Sequence, residues 1–363
     1  MNRKQFILLL VLAVLIGSAG LIVYQHNHAG WESADTSIGG KLLPGLAIND
    51  VAQIHFQSGT NSLLLGRRDN VWQVQERGNY PANFPKISDL LLKFADLKII
   101  QNEDVGPSQL ARLDLLPPGA PSNAATLIEF KDQTGKTLAS ILLGKKHLKQ
   151  PAANADVSGM DGDWPDGRFV TTGPGASSVA VISDPLDIVL PQPDQWLNKD
   201  FISIEKPSII SVQFSVATNS WKLIRTSETN EWELADAGAH EMLDPSKIYG
   251  VTSPFSSPTF DDVAPLNPNA QPLASNTILT VETFEGLIYV ASFGAEKDGR
   301  YPVTFAISAK PSAPSTAAVK LAQANQFTRW LYYVPSYSVD EILKSRNQLL
   351  LQETNSVTAA SSK

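Results

Sequence analysis

The 363-residue chain contains no cysteine. Without thiols it can build no disulfide framework, thiolate zinc site, cysteine nucleophile or lipidated N-terminal cysteine. An exported domain of this size can still bury enough core to do without disulfides. A basic excess is also missing: 36 Asp and Glu against 29 Lys and Arg leave a net charge of −7, which argues against a nucleic-acid partner. There is no Gly-x-Ser-x-Gly elbow and no Ser-x-x-Lys with a plausible set of partners. Thr134-Gly135-Lys136-Thr137 resembles the tail of a phosphate-binding loop, but Phe130 stands where the leading glycine belongs, so the stretch reads as a hairpin turn.

Long apolar runs are absent except for one. Residues 6–24 form 19 uncharged positions behind Arg3 and Lys4, nearly enough to span a hydrocarbon core of ~30 Å. The basic residues on its N-terminal side predict a cytoplasmic N-terminus and an exported bulk. The rival reading is a signal peptide cleaved after Gly17-Ser18-Ala19, but Leu21 to Tyr24 continue the run past that site. An uncleaved anchor in the inner membrane, with a periplasmic body, is the expectation.

What the chain does have is repetition. Val51-Ala52-Gln53-Ile54-His55-Phe56, Thr60-Asn61-Ser62 and Asn70 to Val74 recur as Ile209 to Phe214, Thr218-Asn219-Ser220 and Asn230 to Leu234. The offset is 158 up to Ser220 and 160 at the tryptophan, and it places His55 opposite Gln213. Thr126 to Gly144 matches Thr277 to Gly294. Asp166-Gly167-Arg168 matches Asp298-Gly299-Arg300, and Gln195-Trp196-Leu197 matches Arg329-Trp330-Leu331. Blocks in the same order point to an internal duplication.

The alternation around Ile54, Ser62 and Trp72 predicts a three-strand meander. A helix follows at Pro85 to Leu97, with Ile87, Leu90, Leu91, Phe94 and Leu97 on one stripe. Each unit is expected to run β-β-β-α-β-β-β-α. The second helix of the first unit lies near Asp184 to Leu190 and that of the second at Ala317 to Ala324, and a last helix opens at Ser338 through Leu350. The fold class is α+β: two similar lobes of mostly antiparallel sheet with covering helices, after one transmembrane helix. The expected segments are a cytoplasmic tip at 1–5, the membrane helix at 6–24, a spacer at 25–46, lobes at 47–204 and 205–350, and a disordered tail at 351–363.

Candidate functional residues are few. Asp156, Asp161, Asp163 and Asp166 crowd one loop, as calcium ligands do, but the twelfth position from Asp161 is Thr172, and a solvated turn is the better reading. The histidines at 26, 28, 55, 147 and 240 form no metal motif, and His55 reads as an outward strand residue. Arg67-Arg68 and Lys145 to Lys149 read as strand-end charges facing solvent. Trp72, Trp196, Trp232 and Trp330 could stack on sugars, yet their recurrence marks core anchors. The paired Asp-Gly-Arg leaves Arg168 and Arg300 as the contacts through which a partner or ligand could be held. The plain alternative is a turn, then a strand whose first residue meets a carboxylate. No cofactor, metal or catalytic residue is expected.

The anchor, the Trp-x-aliphatic meander, the hairpin ending in Leu143-Gly144 and the Asp166-Gly167-Arg168 strand together resemble the bacterial domain-of-unknown-function family 4340. Its members look like envelope proteins often encoded beside ABC-transporter components of the gliding-motility type, which implies a transporter partner by association; the family has no assigned catalytic residues to carry onto this sequence. The expectation is therefore a non-enzymatic accessory or scaffold subunit. The alternatives are a glycan- or peptidoglycan-binding module and a hydrolase without a recognisable motif.

Overall fold

A computed structural model describes residues 38–148, 165–172, 178–256, 259–266, 273 and 277–351. The expected membrane helix, His26, His28, Asp156, Asp161, Asp163 and all of the expected tail except Leu351 lie outside the described residues. Among the described residues, no helix is long and apolar enough to cross a membrane. The chain divides into two compact units between Asn198 and Lys199.

The first unit opens with β1 (Gln53–Ser58), β2 (Asn61–Arg68), β3 (Val71–Val74) and β4 (Tyr80–Pro81). Alternation decides the faces: Ile54, Phe56, Leu63 and Leu65 are fully buried, while His55 and Gln57 face outward. Helix α1 (Phe84–Asp96) follows, with Asn83 accepting a hydrogen bond from the Lys86 amide at its N-terminus. Its stripe of Ile87, Leu90, Leu91 and Phe94 is buried, and Phe94 meets Phe130 edge-on at 5.0 Å. Each such side chain contributes roughly 1.5–3 kcal/mol by leaving water.

After α1 come β5 (Ile99–Asp104), β6 (Thr126–Lys131), β7 (Thr137–Leu148), β8 (Pro165–Thr171) and β9 (Ser178–Ile182). The nine strands form one sheet in the order β4-β3-β2-β1-β6-β7-β8-β9-β5. Every neighbouring pair is antiparallel. The β6–β7 connection is the hairpin turn expected at Gly135, which has φ 86°. Asp132 Oδ1 accepts from the Thr134 and Lys136 amides and from the Thr134 hydroxyl.

The second unit holds β10 (Pro207–Phe214), β11 (Trp221–Ile224), β12 (Glu233–Leu234), the one-turn α2 (Pro245–Ile248) and β13 (Asp262–Pro265). It continues with β14 (Thr277–Thr283), β15 (Leu287–Phe293), β16 (Arg300–Ala309), α3 (Thr316–Ala324) and β17 (Trp330–Pro335). Its own eight-stranded sheet has the order β12-β11-β10-β14-β15-β16-β17-β13, again antiparallel throughout. Its core is aromatic: Phe201 meets Phe260 at 5.0 Å and Tyr332 at 4.5 Å, and Phe305 meets Tyr332 at 5.8 Å.

Three expectations are corrected. Residues 338–350 make no α-helix but short 3-10 turns at Ser336–Ser338 and Arg346–Leu349. The Lys344 carbonyl accepts from the indole of Trp221 at 2.7 Å, and the Gln348 amide turns to the Ser345 carbonyl instead. Residues 184–190 are also not helical. Asp184 Oδ1 accepts from the Leu186 amide, and Leu186 sits at φ 54°, left-handed backbone that ends any helix there. The third correction is that β4, β5, β9, β13 and β17 add strands the expected pattern lacked, and β5 carries its polar run Gln101 to Asp104 on a sheet edge.

Candidate functional site

The two Asp-Gly-Arg segments do not share a conformation. In the first unit Asp166, Gly167 and Arg168 are all strand. Gly167 is buried, and a Cβ there would lie 2.3 Å from the Ile182 carbonyl oxygen. In the second unit Asp298 and Gly299 have φ 51° and 73° and form the turn across which the Lys297 and Arg300 amides and carbonyls pair.

The arginines therefore do different work. Arg168 Nε donates to the Gly144 carbonyl at 2.7 Å and Nη1 to the Pro185 carbonyl at 3.4 Å. Burial pushes its pKa down from the usual guanidinium value. It ties β8 to β7 and to the loop after β9 without meeting a carboxylate directly. Arg300 lies over the Tyr333 ring, 5.9 Å from its centroid. Neither the two-fold display nor the strand-opening ion pair describes them. Asp166 pairs instead with His147 Nδ1 at 2.6 Å.

The more organised polar group lies on the other face of the first sheet. On that face a short 3-10 segment, Pro107–Leu113, packs Leu110 and Leu113 over a small core of Leu115, Ala125, Leu142 and Val179. Beyond this cover the outer face of β2, β1 and β6 is half-exposed. There His55 stands opposite Glu129 in the ladder. Its Nδ1 lies 3.1 Å from Glu129 Oε2, and its Nε2 lies 3.1 Å from Ser62 Oγ. A neutral ring protonated on Nδ1 donates to the carboxylate and accepts from the hydroxyl. Lys131 Nζ adds a second contact to Glu129 Oε2 at 2.9 Å. The His55 hydrogen bond, helped by Lys131, holds the Glu129 carboxyl down to about 2.

Hydroxyl, imidazole and carboxylate in this order make the relay of nucleophilic hydrolases. Such a relay also needs donors aimed at a developing oxyanion. Here Asn61 and Ser62 stand opposite Ser58 and Gln57 in the β1–β2 ladder, and the Leu64 amide, on the same strand edge as that of Ser62, donates to Glu76 Oε1. No motif marks the group in the sequence. Only the neighbouring of β1 and β6, which are 74 residues apart at the His55–Glu129 contact, brings it together.

At the rim of the 3-10 cover lies a cleft of about 440 Å³. A bulge in β7 puts one extra residue between the Leu143–Val170 and Lys146–Arg168 pairs, which sends Lys145 and Lys146 different ways. Lys146 pairs with Asp187. His147 packs edge-on against Phe169 at 5.6 Å, and Arg112, Lys145, Phe169 and Leu148 line the opening. Gly144 permits the close packing beneath it, since a Cβ there would lie 2.3 Å from the Leu113 carbonyl oxygen. The Lys-Lys-His run is solvent-facing as expected, but its partner Arg112 comes from a segment the sequence pattern leaves unmarked.

In the second unit a cleft of about 640 Å³ is lined by Gln213, Ser220, Lys222 and Arg346. Its arginine is already neutralised by Glu241 at 2.7 and 2.9 Å and Asp236 at 2.9 Å. Arg346 and the Gly238 amide hold the Glu241 carboxyl down to about 2. Of the four recurrent tryptophans, Trp72 and Trp196 are buried core anchors, whereas Trp232 and Trp330 are half-buried. The second unit's fully packed tryptophan is Trp221. Among the described residues, no three His, Asp or Glu side chains gather as metal ligands do.

A family described as "Domain of unknown function (DUF4340)" matches residues 72–277, more than half of the chain. No curated protein and no solved structure matches.

Proposed function

The chain belongs to the DUF4340 family, and from that premise we propose that it is a non-enzymatic, membrane-anchored envelope subunit that scaffolds or assists a larger assembly, an ABC transporter in particular. The carrying observation is the outer face of the first sheet. It is half-exposed, and its charged groups are pre-paired through His55, Glu129 and Lys131, a rigid polar surface suited to contact. The uncharged run at 6–24 behind Arg3-Lys4 supports single-pass insertion with the body outside the cytoplasm.

The test is a mild-detergent pulldown of the full-length protein from native membranes. A stoichiometric transporter permease, lost with Gln57→Arg on the outer face, is the expected result. Partner-free protein would overturn it. A second reading, a hydrolase, is favoured by the Ser62–His55–Glu129 relay. Covalent labelling by a fluorophosphonate that disappears in Ser62→Ala would establish it and displace the first.

The same proposal includes the duplication. The two strand orders correspond strand for strand once β4 is set aside. Ile54 pairs with Leu65 and Phe130 as Ile210 pairs with Leu223 and Val281. This register supports a duplication in which Ser211, not Gln213, takes the place of His55, with the extra residues in the Ser215 to Ser220 turn.

A further inference from the structure

We infer that the cleft at the end of β7 binds an amphiphile with a phosphate head, the head held by Arg112 and Lys145 and the tail laid on Phe169 and Leu148. In a chain of net charge −7, two cations face one opening, and among the described residues neither has an acid within salt-bridge distance. Arg112 and Lys145 are both exposed, so they keep their hydration until a ligand replaces it. Glu103, also in the lining, keeps its charge while its Oε1 accepts from Gln101 at 2.9 Å, leaving Arg112 and Lys145 as the cationic side of the opening, and Asp166 is bound to His147. Lys146 is drawn away by Asp187.

A guanidinium fork and an ammonium together suit a phosphate monoester, which presents several acceptor oxygens and close to two negative charges near neutral pH. Besides Glu103, Gln109, Lys146 and His147, the rest of the lining is apolar. Val105, Leu113 and Phe169 rest on the small core beneath, and Leu148 stands 41 % exposed at the mouth. A bare inorganic anion leaves that surface idle; an alkyl chain covers it. The second unit's larger cleft offers no such pair, because its arginine is spent on Glu241 and Asp236. The inference stands on the cleft alone and does not depend on an accessory role.

The experiment is calorimetric titration of the full-length protein, held in zwitterionic nanodiscs, with hexyl phosphate, inorganic phosphate and hexanol, using empty discs as the blank. Saturable binding of hexyl phosphate is expected, at least ten-fold tighter than inorganic phosphate and hexanol. The double variant Arg112→Gln/Lys145→Gln weakens it at least ten-fold. Leu148→Asn weakens hexyl phosphate several-fold and leaves inorganic phosphate unchanged. Both variants lie at exposed positions, and unchanged thermal unfolding confirms that they fold. Absence of saturable hexyl phosphate binding, equal affinity for inorganic phosphate or hexanol, or wild-type affinity in the double variant would each overturn the inference.

Discussion

Glu129 reports on its own neighbourhood through pH. Its carboxyl, held near 2 by His55 and Lys131, binds its proton more weakly in the folded chain than in the unfolded one, where it titrates near 4.3. A depressed folded value gives stability that is present above the unfolded pKa and lost as pH falls toward the folded one. The full shift corresponds to about 3 kcal/mol, but the pair touches solvent, and screening reduces this to ~1 kcal/mol. Glu129→Gln should therefore be less stable than wild type by that amount above pH ~5. The gap should close toward pH ~2. Chemical denaturation of both proteins across that range is the check; a gap independent of pH would remove His55 and Lys131 as its cause. Gly167 makes a second residue-scale prediction. With its Cβ position 2.3 Å from the Ile182 carbonyl oxygen, Gly167→Ala forces β8 and β9 apart, and a loss of roughly 2–4 kcal/mol is expected by denaturation.

At the scale of elements, α1 shows local signals and packing in agreement. Asn83 caps it and Pro85 sits in its first turn, so Asn83→Ala should cost about 1 kcal/mol in a denaturant midpoint, with Asn83→Asp restoring most of it. That helix and the strands around Ile54, Trp72 and Phe130 were legible because period and caps coincide. The expected helix at 338–350 was not, although Val339, Ile342 and Leu349 are buried there. The local pattern was sound, but there the Lys344 carbonyl meets the distant indole of Trp221 and the Gln348 amide bonds the Ser345 carbonyl. Trp221→Phe removes the indole bond and should cost ~1 kcal/mol beyond the small change in packing, with earlier proteolysis near Lys344. The candidate site was less legible for the same physical reason. Arg168 and Arg300 were found by their tripeptide, but what each touches is decided by β7, the loop after β9 and Tyr333. The outer-face cluster needs the β2-β1-β6 neighbouring, which no window of sequence contains.

At the scale of the whole molecule, strand pairing closes within each half. Among the described residues, no strand of the nine-stranded sheet pairs with one of the eight, and each sheet carries its own core, Phe56, Phe94, Phe130 and Trp196 in one, Phe201, Phe260, Phe305 and Tyr332 in the other. A unit with a complete hydrogen-bonded ladder and a buried core of its own can fold alone. Residues 38–198 and 199–351, produced separately, should each give strand-type circular dichroism and a single cooperative thermal transition. If the halves arose by duplication, their transitions will nonetheless differ in acid response. Glu129 weakens only the first half as the pH falls toward 2, and Glu241, held low by Arg346, weakens only the second. Arg346→Met should therefore flatten the acid response of the second half and leave the first unmoved. A fragment that stays unfolded by itself, or an Arg346→Met effect on the first half, would show that the two cores are not energetically separate.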